Sequence, residues 1–214
     1  MKTSLVWFKT DLRLTDNEAL IKAIAQSEQV VPVYCFDDSH FETTTYGFKK
    51  TGSFRAQFLL ESLQDLDKNL RALGSGLLIV KGKPEIEIPK LVKQYRAQKV
   101  FAKREVAYEE KQTEKLLQDE LFKLRCELET FSTSTLYHAE DLPFSVKTIP
   151  DVFTNFRKKT EQDAIIRKPF EKPKQIKTPE IPILQLPTLK ELNLKKVKID
   201  SRAAIPFKGG ETEA

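Results

Sequence analysis

Charged side chains follow two predicted strands at the place where an α/β sheet binds its ligands. Lys9-Thr10-Asp11 comes after the apolar run Leu5–Phe8, and Arg104-Glu105-Val106 comes after Val100–Lys103. In open parallel sheets, ligands bind beyond the carboxyl ends of the strands, where the strand order reverses. If the order is 3-2-1-4-5, that place lies between strands 1 and 4. We therefore select Glu105 as the candidate binding residue, since its carboxylate can accept two parallel hydrogen bonds from adjacent N–H donors of a ligand.

These charged residues also have structural interpretations, which the sequence leaves open. Glu105 can be a solvated surface residue, or it can be paired with its neighbour Arg104. Asp11, Arg13 and Arg55 are either ligand contacts or members of ion pairs that fix loops to the sheet. We expect no catalytic residue and no metal ligand among them.

Motifs of the common enzyme classes do not occur in this sequence. Gly74-Ser75-Gly76 lacks a third glycine and precedes a strand instead of following one, so it predicts a helix-ending turn and not a dinucleotide-binding loop. There is no Walker motif and no Gly-x-Ser-x-Gly elbow, and His40 and His138 are far apart. Cys35 and Cys126 fall in predicted strands, which favours buried core thiols over a disulfide or a metal site. Conventional hydrolase, dehydrogenase and kinase functions are therefore disfavoured.

Short apolar runs alternate with helical spacers over residues 5–131, which predicts the elements that position Glu105. The predicted strands are Leu5–Phe8, Val30–Phe36, Leu77–Lys81, Val100–Lys103 and Glu127–Phe131. The first predicted helix begins after a cap at Thr15 or Asp16, and the second contains the leucines of 59–73. Three further helices are predicted at Glu85–Gln98, Tyr108–Arg125 and Val152–Glu161. Continuous apolar strands are typical of parallel sheets. We predict an α/β fold: a doubly wound, Rossmann-like, five-stranded parallel sheet of order 3-2-1-4-5 with helices on both faces.

Residues 1–161 are predicted to form this α/β domain, and residues 162–214 an extended linker rich in proline and lysine. Six of the eleven prolines lie between Arg167 and Pro206. Lysines and arginines clustered between Arg157 and Lys198 contribute to the net charge of +5, and they form either a solvated linker or a basic tail that binds nucleic-acid phosphates independently of base sequence. No apolar run reaches the roughly 18 residues that span a bilayer, and no secretory signal is visible. We predict a cytoplasmic protein that does not bind membranes.

Several stretches, ordered along almost the whole chain, carry the features of one protein family. They are Val6–Leu20, Pro32–Asp37, Lys50–Gly52, Arg55–Leu63, Gly82–Glu85, Leu136–His138, Asp141–Phe144, Pro150–Lys158 and Phe207–Glu211. Together they resemble the DASH branch of the cryptochromes and photolyases, flavoproteins that use blue light for DNA repair or signalling. The Leu-Pro-Phe of 142–144 and the run Pro150–Lys158 favour DASH cryptochromes over ordinary photolyases.

The resemblance implies a two-domain protein of which this chain is the front part. In the family, the α/β domain carries an antenna similar to methenyltetrahydrofolate, and Glu105 matches the acidic residue near its pterin ring. Ala107 stands where the family's other antenna pattern has an asparagine, so the remaining contacts are not defined. A helical domain, expected to start near Phe207–Glu211 and absent here, holds FAD and completes the pterin pocket.

The resemblance also sets the expected activity and partners. Whole DASH proteins resemble deoxyribodipyrimidine photo-lyases that repair cyclobutane pyrimidine dimers in single-stranded DNA, or they act as photoreceptors. The expected partners are the folate antenna, the protein's own helical domain, and DNA only through the full-length protein. The chain by itself should not repair DNA. The alternative is a stand-alone nucleotide-binding or partner-docking α/β module, similar to universal-stress or electron-transfer-flavoprotein domains.

Overall fold

The computed structural model of the protein describes residues 2–198, 200, 202 and 207–214. The predicted linker, 162–214, therefore falls partly outside the described residues. Within them, no helix is long and apolar enough to cross a membrane.

Five parallel strands form the sheet that the sequence predicts. They are β1 (Thr3–Phe8), β2 (Gln29–Phe36), β3 (Leu78–Lys81), β4 (Lys99–Lys103) and β5 (Glu127–Phe131). Their order is β3-β2-β1-β4-β5, which confirms the predicted order. All pairs are parallel, and Trp7 of the central strand lies opposite Val33 on one side and Ala102 on the other. All six residues of β1 are buried, as expected for a strand covered on both faces.

Helices cover both faces of the sheet. The helices on the sheet are α1 (Glu18–Gln26), α2 (Ser53–Ala72), α3 (Pro84–Tyr95) and α4 (Tyr108–Lys123); α5 (Phe153–Asp163) follows the last strand. Alternate residues of β1 point to opposite faces: Phe8 packs in the cluster that includes the buried residues of α1 and α2, and Trp7 in the cluster of α3 and α4. Trp7 is therefore a core residue, with 6% of its surface exposed.

The first helix begins at a residue that the sequence analysis did not select. Asn17 is its N-cap: the backbone is extended at φ −114°, and the side-chain oxygen accepts a hydrogen bond from Leu20 N at 3.0 Å. The prediction of Thr15 or Asp16 was wrong. Asp16 has φ 49°, a left-handed conformation that turns the chain before the helix instead of capping it. The Asn17 amide also donates to the carbonyl oxygens of Asp11 and Arg13, so one side chain closes the whole β1–α1 loop.

The second helix follows its predicted leucine pattern closely. Leu63, Leu66 and Leu70 are buried against the sheet, and Leu73 is the C-cap that follows the last helical residue, Ala72. Gly74 follows with φ +84°, which glycine adopts without strain, so Gly74–Gly76 forms the predicted helix-ending turn.

After β5 the chain contains short 3-10 turns, α5, and a long stretch without regular structure. Residues 164–198 lie against the α/β domain: Ile176 and Leu192 are buried in the cluster of α1 and α2. Ile176 N donates to Leu73 O at 2.9 Å, and Val30 N donates to Lys177 O at 2.8 Å. The division into a domain of 1–161 and a linker of 162–214 stays a prediction.

The cap of α1 can be tested by mutation. Asn17→Ala should lower the free energy of unfolding by about 1–2 kcal/mol, because it removes the cap acceptor and the two loop hydrogen bonds. Asn17→Ser keeps a cap oxygen and should recover about half of the loss. Urea denaturation followed by circular dichroism measures both values. Equal destabilisation by serine and alanine would contradict the assignment of the cap.

The two cysteines should be unreactive in the folded protein. Both are free and buried. Burial, together with the neighbouring Glu127 carboxylate, raises the pKa of Cys126 to about 11, and burial beside Asp37 raises the pKa of Cys35 as well. The reactive thiolate is therefore scarce at pH 8. Mass spectrometry after iodoacetamide treatment should find no modification in native buffer and two modified cysteines in guanidinium chloride. Rapid alkylation of the native protein would contradict this expectation.

Candidate functional site

The candidate crevice lies where β1 and β4 are neighbours and the strand order reverses. Lys9 and Thr10 follow β1 directly, and Arg104 and Glu105 follow β4. Because both strands run in the same direction, the segments leave the sheet at the same edge. The structure thus brings together the two runs that the sequence analysis selected.

A chain of hydrogen bonds crosses this crevice and ends on Glu105. Lys103 Nζ donates to Thr10 Oγ1 at 2.5 Å, and the Thr10 hydroxyl donates to Glu105 Oε1 at 3.1 Å. Lys103 Nζ also lies 3.5 Å from the same carboxylate oxygen, and the Glu105 side chain is 15% exposed. Glu105 Oε2 accepts no hydrogen bond from any residue that the structure describes. One oxygen of the carboxylate is therefore held by the protein, and the other is available to a ligand.

Glu114 of α4 fixes the backbone from which Glu105 projects. Its Oε1 atom accepts a hydrogen bond from Glu105 N at 3.1 Å and also pairs with Lys9 Nζ. Lys9 Nζ in turn donates to Lys103 O at 2.9 Å and lies 4.2 Å from the centre of the Trp7 ring. The cation is thus placed by a carboxylate, a carbonyl and an aromatic face together.

We call Lys9, Lys103, Glu105 and Glu114 the crevice quartet. Their side chains are between 10% and 15% exposed, so each charge has lost most of its hydration. Two positive and two negative charges compensate one another, which offsets the cost of burial. Because no positive charge is left in excess, the quartet is poorly suited to an isolated phosphate. An uncharged ring with N–H donors fits the open oxygen of Glu105 better.

Other candidate residues occupy structural positions in the β1–α1 loop. The buried Asp11 carboxylate accepts from Lys9 N at 3.0 Å and lies 3.4 Å from the Asn17 amide. Arg13 donates to the carbonyl oxygens of Thr15 and Asp16 and lies 3.8 Å from the Asp16 carboxylate, so these contacts are within its own loop and not with the sheet. Arg55 is exposed and forms no ion pair within the described part of the chain.

Arg104 is not the partner of Glu105. Its guanidinium donates to the hydroxyl and the carbonyl oxygen of Thr130, both at 3.1 Å, beside the end of β5. That alternative interpretation of Glu105 was therefore wrong, since the positive charge near the carboxylate comes from Lys103 instead.

The sequence analysis missed Glu114 and the role of Lys103. Glu114 lies three and seven residues before Leu117 and Leu121, the buried residues of α4. Glu114 lies on the same apolar face of α4 as these leucines, and this is the signal that could have identified it. A carboxylate on the buried face of a helix usually has a charged partner. Among the described residues, no group of His, Cys, Asp and Glu could hold a metal ion.

Exposed apolar side chains occur on the segments that flank the crevice. We call them the apolar rim: Tyr46, Phe48, Val106 and Tyr108, each more than 60% exposed. Lys50 Nζ pairs with Glu109 at 3.1 Å and so ties the loop of Tyr46 and Phe48 to the start of α4. Large apolar side chains exposed together are typical of a surface that contacts a ligand or another protein surface.

Comparisons with known proteins identify the family. The sequence profile described as DNA photolyase matches residues 4–175, which include the sheet except for the first residue of β1, together with α1–α5. The chain belongs to the DNA photolyase family. It is 44% identical over 214 residues to a cryptochrome DASH of Gloeobacter violaceus, covering 99% of this chain and 42% of that protein. It is 41% identical over 218 residues to a cryptochrome DASH of Danio rerio, covering 100% of this chain and 42% of the relative.

A solved structure supports the same assignment. The cryptochrome of Synechocystis sp. superposes with a TM-score of 0.92 at 40% identity, over 99% of this chain and 44% of that one. The predicted resemblance to the DASH branch is thereby confirmed. The chain spans less than half the length of these relatives.

The supporting role of Glu114 can be tested by removing its charge. Glu114→Gln should destabilise the protein by about 1.5–3 kcal/mol, because the mostly buried Lys9 ammonium loses its charged partner. Glu110→Gln, an exposed carboxylate one turn earlier in α4, is the matched control and should change stability by less than about 0.5 kcal/mol. Urea denaturation measures both. Similar small effects would show that the quartet contributes little to stability.

Proposed function

We propose that this chain is the antenna-binding domain of a DASH-type cryptochrome. The observation that supports this most directly is the open Oε2 oxygen of Glu105, in the crevice between β1 and β4 of a photolyase-family domain. In this proposal, Glu105 holds the pterin ring of a folate similar to methenyltetrahydrofolate by accepting a hydrogen bond from its N–H groups.

The residues around Glu105 suit such a ring. The Thr10 hydroxyl and the Lys103 ammonium both lie at Oε1, which leaves the second oxygen of the carboxylate for the ligand. The sequence analysis expected two parallel hydrogen bonds from the ligand to Glu105. Because Oε1 already accepts from Thr10 and lies beside Lys103, a ligand would form one strong hydrogen bond to Oε2, and any second bond would share Oε1 with these residues. The apolar rim offers flat aromatic surface on which a pterin can stack.

The activity of the whole protein is a further part of the proposal. We infer from the family that FAD binds in a helical domain beyond this chain, and that the apolar rim and the antenna face that domain. The whole protein would then use blue light either to repair cyclobutane pyrimidine dimers in single-stranded DNA or to act as a photoreceptor. Contact with DNA is assigned to the full-length protein. A cytoplasmic location is also proposed, since the free thiols Cys35 and Cys126 suit a reducing compartment.

The alternative function, a stand-alone nucleotide-binding or partner-docking module, uses the same sheet. The balanced charges of the crevice quartet and the absence of glycine from residues 9–17 give a nucleotide phosphate little to bind. Calorimetry with ATP and AMP separates the two functions. Micromolar binding of either nucleotide by the 214-residue chain would favour the alternative.

Replacing one acceptor oxygen tests the antenna site. In protein purified from the complete coding sequence, Glu105→Gln should lose the near-ultraviolet absorbance of folate and keep the absorbance of flavin. The amide introduced by this substitution would present an N–H group where the ligand needs an acceptor. The loss of a charge-assisted hydrogen bond should cost about 1.5–3 kcal/mol, which is roughly ten- to a hundred-fold in affinity.

The control for this experiment is Glu110→Gln, which removes the same charge from an exposed position in α4. It should keep the folate content of the wild-type protein. A normal folate content in the Glu105→Gln protein would show that Glu105 does not bind the antenna.

A further inference from the structure

The segment Phe207–Ala214, which we call the C-terminal segment, lies against α2 through a row of polar side chains. Glu61, Asp65 and Asn69 are spaced by four residues and so share one face of the helix. Glu61 Oε2 accepts from Gly209 N at 2.8 Å, and Asp65 Oδ2 accepts from Thr212 N at 3.0 Å. The Asn69 amide donates to the Thr212 hydroxyl at 3.2 Å.

Two glycines allow the C-terminal segment to approach α2 this closely. A Cβ atom on Gly209 would lie 2.0 Å from the carbonyl oxygen of Phe58, which belongs to the helix backbone and cannot move aside. Gly210 has φ +126°, and a Cβ there would lie 2.7 Å from Cβ of Asp65. The docked position is therefore specified by shape as well as by hydrogen bonds.

Glu211 extends from the docked segment to the β1–α1 loop. Its Oε2 atom accepts from Leu14 N at 2.8 Å, and its Oε1 atom accepts from Thr15 N at 2.9 Å. Burial by itself raises the pKa of this carboxyl, but the hydrogen bonds from Leu14 and Thr15 and the charge of Lys172 outweigh it and leave the pKa lowered. The side chain is thus an ionised, two-oxygen acceptor for consecutive backbone amides.

Thr10, whose hydroxyl contacts Glu105, belongs to the same β1–α1 loop as Leu14 and Thr15. This loop is short, it leaves β1 at Phe8, and Asn17 closes it at the start of α1. A clamp at Leu14 and Thr15 therefore restricts the conformations available to Lys9 and Thr10. A second contact exists: Asp16 N donates to Phe170 O at 2.8 Å, and Phe170 N donates to the Asp16 carboxylate at 3.1 Å.

We propose that Glu211 is a positioning residue for the crevice. By holding Leu14 and Thr15, it keeps the β1–α1 loop in the conformation that presents Thr10 to Glu105 and Lys9 to Glu114. Docking of the C-terminal segment on α2 is thereby coupled to the geometry of the crevice quartet. The inference goes beyond the proposed antenna function and does not depend on which ligand the crevice binds.

Backbone amide exchange in the 214-residue chain tests the coupling without any ligand. In Glu211→Gln, one acceptor oxygen and the charge are lost, so the amides of Leu14 and Thr15 should exchange about tenfold faster or more. The amides of Lys9, bonded to Asp11, and of Glu105, bonded to Glu114, report on the crevice. The exchange of the Lys9 and Glu105 amides should become at least about threefold faster. This corresponds to a smaller loss of local stability than the tenfold change expected at Leu14 and Thr15.

Two controls separate positioning from a general loss of stability. The amide of Leu5 in the central strand should keep its wild-type exchange rate in Glu211→Gln. Glu213→Gln removes a charge from the same turn, at an exposed side chain without a hydrogen bond in the described part of the chain, and should change none of these rates.

A second variant leaves Glu211 intact and prevents the segment from docking. Gly209→Ala places a methyl group against the Phe58 carbonyl and should accelerate the Leu14, Thr15, Lys9 and Glu105 amides in the same way. It also supplies the test if Glu211→Gln does not fold. Faster exchange at Leu14 and Thr15 with wild-type rates at Lys9 and Glu105 would overturn the proposal, because the clamp would then be local. Unchanged rates at all four amides would overturn it as well.

Discussion

The buried central strand β1 is the constraint on which the rest of the structure depends. Its six residues are covered by helices on both faces and hydrogen-bonded to β2 and β4 on both edges. The next strand in the chain goes to one side of β1, while β4 and β5 go to the other. The sheet edge beyond β1 therefore lacks a helix crossing directly above it, and a crevice opens there. The β1–α1 loop forms one wall of the crevice and the segment after β4 forms the other.

The charges in that crevice are stable because they are matched. Lys9 and Glu114 form one pair, Lys103 and Glu105 form the other, and all four side chains are mostly buried. A buried charge without a partner destabilises a protein. Neutralising any one residue of the crevice quartet would therefore leave the opposite charge of its pair buried and uncompensated. The arrangement also leaves one oxygen of Glu105 unused by the protein. The proposed binding site and the charge pairing thus use the same carboxylate, Glu105, through different oxygen atoms.

Distant parts of the chain meet at the β1–α1 loop. Lys9 contacts Glu114 across 105 residues of sequence, and Leu14 contacts Glu211 across 197. Each of these contacts closes a large loop of the chain, which costs conformational entropy, so the packing of the sheet and helices must offset that cost. The β1–α1 loop therefore receives its final conformation from three elements: α4, the stretch around Phe170, and the C-terminal segment on α2. This makes the shape of the crevice a property of the whole domain.

The sequence by itself determined the elements of this protein, because strand and helix patterns depend on neighbouring residues. Continuous apolar runs defined the five strands, the leucine spacing defined α2, and the strand order placed Glu105 at the crevice. The cap at Asn17 was missed, since choosing among adjacent polar residues requires their backbone angles. Only the tertiary structure decided that Lys103 and not Arg104 approaches Glu105, and that Glu114 and Glu211 hold the surrounding backbone. Lys9 and Glu114, like Leu14 and Glu211, are distant in the chain, so no local pattern shows which residues will pair. Lys103 and Arg104 are both close to Glu105 in sequence, and the direction in which the folded backbone points each side chain decides between them.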